Sequence, residues 1–297
     1  MGLLTPVELV EVRELGPVHF IAIGGSGMNG IASALLHLGV PVSGSDRQDS
    51  KYLRALEAEG ARVYVGHDAA QLSDDVQTVV ASSAIREDNP ELAKARRRGL
   101  RVLHRSAALG SIMLGRRGVA VAGTHGKTTT TAMISHVLSG VGADPSYVIG
   151  GSLTGASTGG HIGGGDAFVV EADESDGSFL QYPAEIAVVT NVDPDHLSNW
   201  GTAENYADGF LRFATGETVR LLVISADDPG AVVLTERVRG LAGERPRIVS
   251  YGAAEGADIR IADAAFEGTG SSFTLAGEQV RLRVPGDYNV LNAAAAY

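Results

Sequence analysis

The chain contains no cysteine, which excludes disulfides and thiol catalysis and agrees with a reducing compartment. Aromatic residues are scarce at 5%, whereas glycines number 39 and apolar residues reach 44%, a balance that suits an α/β protein rich in tight strand-to-helix turns. No apolar run approaches the ~18 residues of a membrane span. The first residues, MGLLTPVELVE, also lack the basic start and apolar core of a secretory signal. A cytoplasmic protein with no membrane partner is expected. Positive charge is short as well. The net charge of −11 argues against a nucleic-acid partner, which would call for a cationic surface. The one basic run, Lys94 to Arg98, falls at the end of a predicted helix, where cations complement the helix dipole. Lysine is the scarcest cation: Lys51, Lys94 and Lys127 stand against a large excess of arginine.

Lys127 is the informative one. It lies in VAGTHGKTTTT, residues 121–131, where a short apolar strand passes through Gly123 and Gly126 into a predicted helix. Glycines let backbone N–H groups turn inward, and the helix offers its positive end. A lysine there reaches β- and γ-phosphates as a compact ammonium, and the next hydroxyl, Thr128, can hold Mg²⁺. The general phosphate-loop pattern places a glycine five residues before Gly126; here Val121 stands there and the glycine is at 123. The pattern predicts nucleotide binding through Gly123, Thr124, His125, Gly126, Lys127, Thr128 and Thr129.

At 297 residues the chain suits two domains, and we place their boundary in the polar, glycine-bounded stretch 115–118, giving domains 1–115 and 116–297. The first alternates strands and helices. Strand 18–24 enters Gly25-Ser-Gly-Met-Asn-Gly30, where Gly25 and Gly27 permit a pyrophosphate close to the backbone and Gly30 permits tight helix packing. Asp46 ends the next strand, ~20 residues on, where a ribose-binding acid belongs. Taken alone, this unit is compatible with NAD and an oxidoreductase. Ser82 and Ser83 leave a later strand end and are candidates for a sugar or phosphate.

In the second domain a glycine-rich segment, 150–165, has too few side chains for a core and is expected to be mobile. Strand 166–171 discharges into Glu171-Ala-Asp-Glu-Ser-Asp176, where crowded carboxylates call for a cation; Glu171, at the strand end, is the best-placed Mg²⁺ ligand. Strand 186–190 exits into NVDPDH, and His196 follows on the same sheet edge as Lys127 and Glu171. Beyond Asp258 the pattern becomes short and alternating, with 272–275 and 279–284 forming a hairpin. Asn289 and Asn292, three apart on a final helix, share a face. The fold class is therefore α/β: a Rossmann-like parallel-sheet domain, then a phosphate-loop ATPase domain with an antiparallel flank.

Four stretches taken together, IGGSGMNGIA with GSD, VAGTHGKTTTT, EADESDGSF with NVDPDH, and YNVLNAAAA, resemble the Mur ligase family over essentially the whole chain. The resemblance implies that the first domain holds a UDP-sugar rather than NAD, that the second is an ATPase, and that a third, amino-acid-binding domain follows residue 297. It implies ATP-dependent, Mg²⁺-assisted ligation of L-alanine to the lactyl carboxylate of UDP-N-acetylmuramate through an acyl phosphate, in peptidoglycan precursor synthesis. Relatives that attach another amino acid or a peptide share these motifs, and the chain by itself is expected to bind substrate without completing the reaction. Carried over residue by residue, Lys127, Glu171 and His196 are catalytic, Thr128, Glu171 and His196 surround Mg²⁺, and Asn289 and Asn292 contact adenine. Gly25, Gly27, Asp46, Ser82 and Ser83 hold the UDP-sugar, with His125 toward its carboxylate. Two departures stand out: several relatives bridge a second Mg²⁺ with a carbamylated lysine, and this chain has no lysine after Lys127; and Gly286-Asp-Tyr288 replaces an expected basic or histidine residue before the asparagines.

Overall fold

A computed structural model describes residues 3–297. In chain order the elements are β1 (Val18–Ile21), α1 (Ser26–His37), β2 (Val42–Asp46), α2 (Lys51–Ala58), β3 (Arg62–Val65), β4 (Thr78–Ala81), α3 (Pro90–Arg97), β5 (Arg101–His104) and α4 (Arg105–Met113). They continue with β6 (Arg117–Ala122), α5 (Lys127–Gly140), β7 (Ser146–Val148), β8 (Gly160–His161), β9 (Ala167–Glu171), β10 (Ala184–Val189), α6 (Leu197–Trp200) and α7 (Ala203–Ala214). The last are β11 (Leu221–Ser225), α8 (Pro229–Arg239), β12 (Arg247–Gly252), β13 (Ile259–Glu267), β14 (Gly270–Leu275), β15 (Glu278–Leu282) and α9 (Asp287–Ala296). Two compact units result, one built from Pro6–Arg116 and Pro145–Asp166, the other chiefly from Arg117–Asp144 and Ala167–Tyr297.

The first unit is a parallel sheet of order β3-β2-β1-β4-β5. Every residue of β1 is buried, and Phe20, Ile21, Ile31, Leu35, Leu53 and Leu56 build the core around it. Helix starts are set by short polar side chains: Ser50 Oγ accepts from Leu53 N at 3.2 Å, and Asn89 Oδ1 accepts from Glu91 N and Leu92 N with Pro90 opening α3. Because β2 and β4 flank β1 on opposite sides, the turn after β1 is a topological switch point, where such sheets bind ligands.

The glycine-rich segment 150–165, expected from sequence to be a mobile part of the second domain, lies within Pro145–Asp166, which packs with the first unit. Gly159 N donates to Asn29 Oδ1 at 3.0 Å, Thr158 Oγ1 to Ser33 Oγ at 3.1 Å, and Arg116 Nη1 to the carbonyls of Gly163 and Gly165. Glycine permits close contact here: a Cβ on Gly30 would lie 2.9 Å from the Gly159 carbonyl carbon, and one on Gly160 would overlap the Gly30 carbonyl oxygen. Gly160→Ala is therefore expected to loosen α1 from this segment and to destabilise the first unit by about 1–3 kcal/mol, the usual cost of overpacking. Faster hydrogen exchange of α1 amides, with α5 amides unchanged, would register it.

The second unit has the order β15-β14-β13-β12-β11-β10-β6-β9. Pairing is parallel from β9 through β13 and antiparallel for β13-β14 and β14-β15, so the flank is the expected hairpin enlarged by one long strand. The central strand β6 is buried from Gly118 onward and is flanked by β9 and β10. The exits of these three strands therefore meet at a second switch point. Behind it Phe179, Trp200, Tyr206, Phe210 and Phe213 form an aromatic cluster, with Phe179 and Phe213 stacked at 5.0 Å and the Trp200 and Tyr206 rings edge-on at 5.9 Å. Among the described residues no helix is long and apolar enough to cross a membrane.

Candidate functional site

The turn from β6 into α5 is shaped by two glycines. Gly123 (φ +142°) and Gly126 (φ +85°, the N-cap of α5) both occupy backbone conformations that L side chains rarely adopt. They are also boxed in: a Cβ on Gly123 would overlap Thr190 Oγ1, and one on Gly126 would lie 2.6 Å from Asn292 Oδ1. Thr190 Oγ1 donates to the His125 carbonyl at 2.6 Å, and Asn191 brackets the same residue, accepting from His125 N at 2.8 Å and donating to its carbonyl at 2.9 Å. The exit of β10 thus fixes the loop. The His125 amide is turned to Asn191 and its side chain is exposed.

Thr124 Oγ1 donates to the Asp193 carbonyl at 2.8 Å, accepts from Asp193 N at 3.0 Å, and lies 2.9 Å from the Tyr206 hydroxyl. Burial holds the Tyr206 phenol far above its usual pKa, further raised by Glu174, Asp195 and Asp193, so Tyr206 stays neutral and bridges loop and aromatic cluster. Thr128 opens α5 exposed, its hydroxyl donating to Glu171 Oε1 at 2.9 Å; Thr129 is exposed beside it.

Lys127 is only 16% exposed. Its ammonium donates to Gly123 O at 2.6 Å, Thr124 O at 3.2 Å and Glu174 Oε1 at 3.1 Å. Glu174 Oε2 also lies 2.9 Å from Nζ but outside hydrogen-bond geometry, and it has no hydrogen-bond partner. Glu174 is 1% exposed, and burial raises its carboxyl pKa above the ordinary value against the opposing pull of Lys127. Sequence reasoning missed this residue, because in EADESD nothing separates it from Asp173 and Asp176. Its position before Phe179 and Trp200, whose indole Nε1 donates to the Glu174 carbonyl at 2.9 Å, was the available signal.

His196 caps α6 in the left-handed region (φ +52°), a conformation uncommon outside glycine. Its ring meets Asp195, with Nε2 at 3.6 Å from Oδ2, and its amide donates to Asp195 Oδ1. Among the described residues no group of three or more His, Asp or Glu is assembled as a metal site. Thr128 and Glu171 are brought together and offer hard oxygen donors. That suits Mg²⁺, which takes one or two protein oxygens and completes its shell with water and phosphate. Asn292 is buried and accepts from Thr130 Oγ1 at 3.1 Å behind the loop, whereas Asn289 turns its amide to the Pro285 carbonyl at 2.7 Å. The two asparagines are therefore employed differently.

In the first unit, Gly25 is the N-cap of α1 and Gly27 lies in its first turn, with a Cβ there 3.0 Å from Arg105 Nη1. Asp46 Oδ2 accepts from Gly24 N at 2.9 Å, so the carboxylate braces the glycine turn. Ser82 and Ser83 follow β4; Ser83 Oγ lies 3.1 Å from His104 Nε2. Gly25, Gly27, Asp46, Ser82 and Ser83 all stand at the carboxyl edge of the first sheet.

Comparison with known proteins divides the chain near residue 117, where β6 begins. Residues 17–117 match the Mur ligase family, catalytic domain, and residues 121–297 match the Mur ligase middle domain. A UDP-N-acetylmuramate–L-alanine ligase of Cutibacterium acnes is 55% identical over all of this chain, and one of Thermobifida fusca is 53% identical. The chain spans 63% of the length of each. The crystal structure of the UDP-N-acetylmuramate–alanine ligase of Thermotoga maritima superposes with a TM-score of 0.82 at 28% identity, over 94% of this chain and 63% of that one.

Proposed function

The chain belongs to the Mur ligase family, and from that premise we propose that it forms the UDP-sugar- and ATP-binding part of a cytoplasmic enzyme joining L-alanine to the lactyl carboxylate of UDP-N-acetylmuramate. The relatives' names supply the substrates. The observation that carries the ATP part is the clustering of Lys127 and Thr128, at the start of α5, with Glu171, at the end of β9, beside the β6 switch point.

ATP with Mg²⁺ would supply the phosphoryl group that activates the carboxylate for attack by the amine. The protein's task in such chemistry is positioning and neutralisation of charge, with little covalent participation. Lys127 would neutralise β- and γ-phosphate oxygens, and Gly123, Thr124 and Gly126 would line the phosphates. Thr128 and Glu171 would hold Mg²⁺, with His196 on the adjoining exit. Thr129 sits at the helix start, Asn292 supports Gly126 and Thr130 from behind, and Asn289 remains the candidate for adenine. In the first unit Gly25, Gly27, Ser82 and Ser83 would receive the UDP-sugar, and Asp46 would brace the glycine turn.

Titration of residues 1–297 with UDP-N-acetylmuramate and, separately, with NADH tests this reading. Binding of the UDP-sugar alone is expected; tight NADH binding without UDP-sugar binding would defeat it. By itself the chain is expected to show no L-alanine-stimulated ADP release.

A further inference from the structure

Lys127 has three N–H donors and three acceptors: two loop carbonyls and the Glu174 carboxylate. Protein atoms alone therefore satisfy all three donors of this lysine. The two carbonyls belong to the loop itself and move only with it. Glu174 comes from the exit of β9, is almost wholly buried, and is anchored through its own carbonyl by the Trp200 indole at 2.9 Å. Trp200 is in turn held by edge-on contacts with Phe179 and Tyr206, and its ring fills the space beside Gly209, where any Cβ would overlap it.

We propose that Glu174 is a built-in anion that pairs with Lys127 and competes with incoming phosphate for the ammonium, so that nucleotide binding proceeds by exchange of the Glu174 carboxylate for a phosphate oxygen. The proposal rests on the reading of this loop as a phosphate site. A bound phosphate must present an acceptor to Nζ, and all three donors are already used. The carboxylate is the partner that yields, because it and the phosphate are both anions and repel at this range, while the carbonyls are neutral. The pair also gives the largely buried ammonium a counter-charge, without which its burial would cost heavily. As phosphate leaves, the returning carboxylate favours release. Glu174 is thus a positioning residue acting through Lys127.

Binding of inorganic tripolyphosphate with Mg²⁺ to residues 1–297 tests this without involving the adenine site. Glu174→Gln keeps the shape and removes the competing charge. It is expected to tighten binding about tenfold, mainly through slower dissociation. The gain must disappear in a Lys127→Met background, which a merely structural effect would not produce. Unchanged or weaker binding by E174Q, or a gain that persists without the lysine, overturns the proposal. A measurement on the unaltered protein covers the case in which E174Q does not fold. Trp200 is the only tryptophan, and its indole N–H resonance is expected to shift on saturation as the Glu174 carboxylate is released. Saturation with that resonance unmoved overturns the proposal equally. Failure of the unaltered protein to bind tripolyphosphate at all would instead overturn the phosphate-site reading beneath it.

Discussion

Lys127→Ala is expected to lower ATP turnover at least about 10³-fold in a form of the protein extended to its relatives' full length, while UDP-sugar affinity stays within a factor of two or so. Removal of one preorganised donor to a developing charge costs on that order, and here the donor is a full positive charge. Its loss also leaves the buried Glu174 carboxylate, already raised in pKa by burial, with no cation beside it. The substitution thus removes the ammonium that would neutralise phosphate oxygens and leaves the phosphates unassisted. UDP-sugar binding is spared because its candidate residues other than His125, Gly25 to Ser83, belong to the other unit. Steady-state phosphate release gives the first number and calorimetric titration with the UDP-sugar the second.

Gly123→Ala is expected to be nearly as severe, and by a different route. The residue stands at φ +142°, which by itself costs about 1–3 kcal/mol for a side-chain-bearing residue. The new methyl would also displace Thr190 Oγ1, whose hydrogen bond holds the His125 carbonyl, and would press on the Asn191 amide nitrogen 3.1 Å away. Together these place the loss of second-unit stability at about 2–4 kcal/mol. The loop that the glycine shapes should lose tripolyphosphate binding as well. Denaturation followed by Trp200 fluorescence, which reports on the second unit, measures the first effect. An alanine variant as stable as the parent would mean that the loop does not need its left-handed glycine.

How legible all of this was depends on the kind of signal. The β6 strand, the glycine turn and Lys127 announce themselves, because a turn of this shape restricts residue type at each position. Exits of parallel strands can likewise be placed on one edge from the alternation of elements alone, which is why the sequence places Thr128 and Glu171 together. What sequence does not carry is burial. Glu174 looks like its acidic neighbours until Trp200, 26 residues on, closes over it. Asn289 and Asn292 share a helical spacing, yet only the second is buried, since Gly126 and Thr130 pack against that position. Composition does not show the contacts of residues 150–165, where glycines permit backbone-to-backbone packing on α1. The long strand β13 escaped because its alternation is broken where Asp263 adopts φ +52° and the register shifts between Ala262 and Ala265.

The central claim is that this loop delivers ATP's phosphoryl group to the carboxylate of a UDP-sugar. Phosphate release by the extended protein, measured with ATP and Mg²⁺ while UDP-N-acetylmuramate and L-alanine are supplied singly and together, tests it most directly. The account predicts release that requires both and yields one phosphate per alanine joined; release indifferent to the UDP-sugar, or none under any combination, would contradict it.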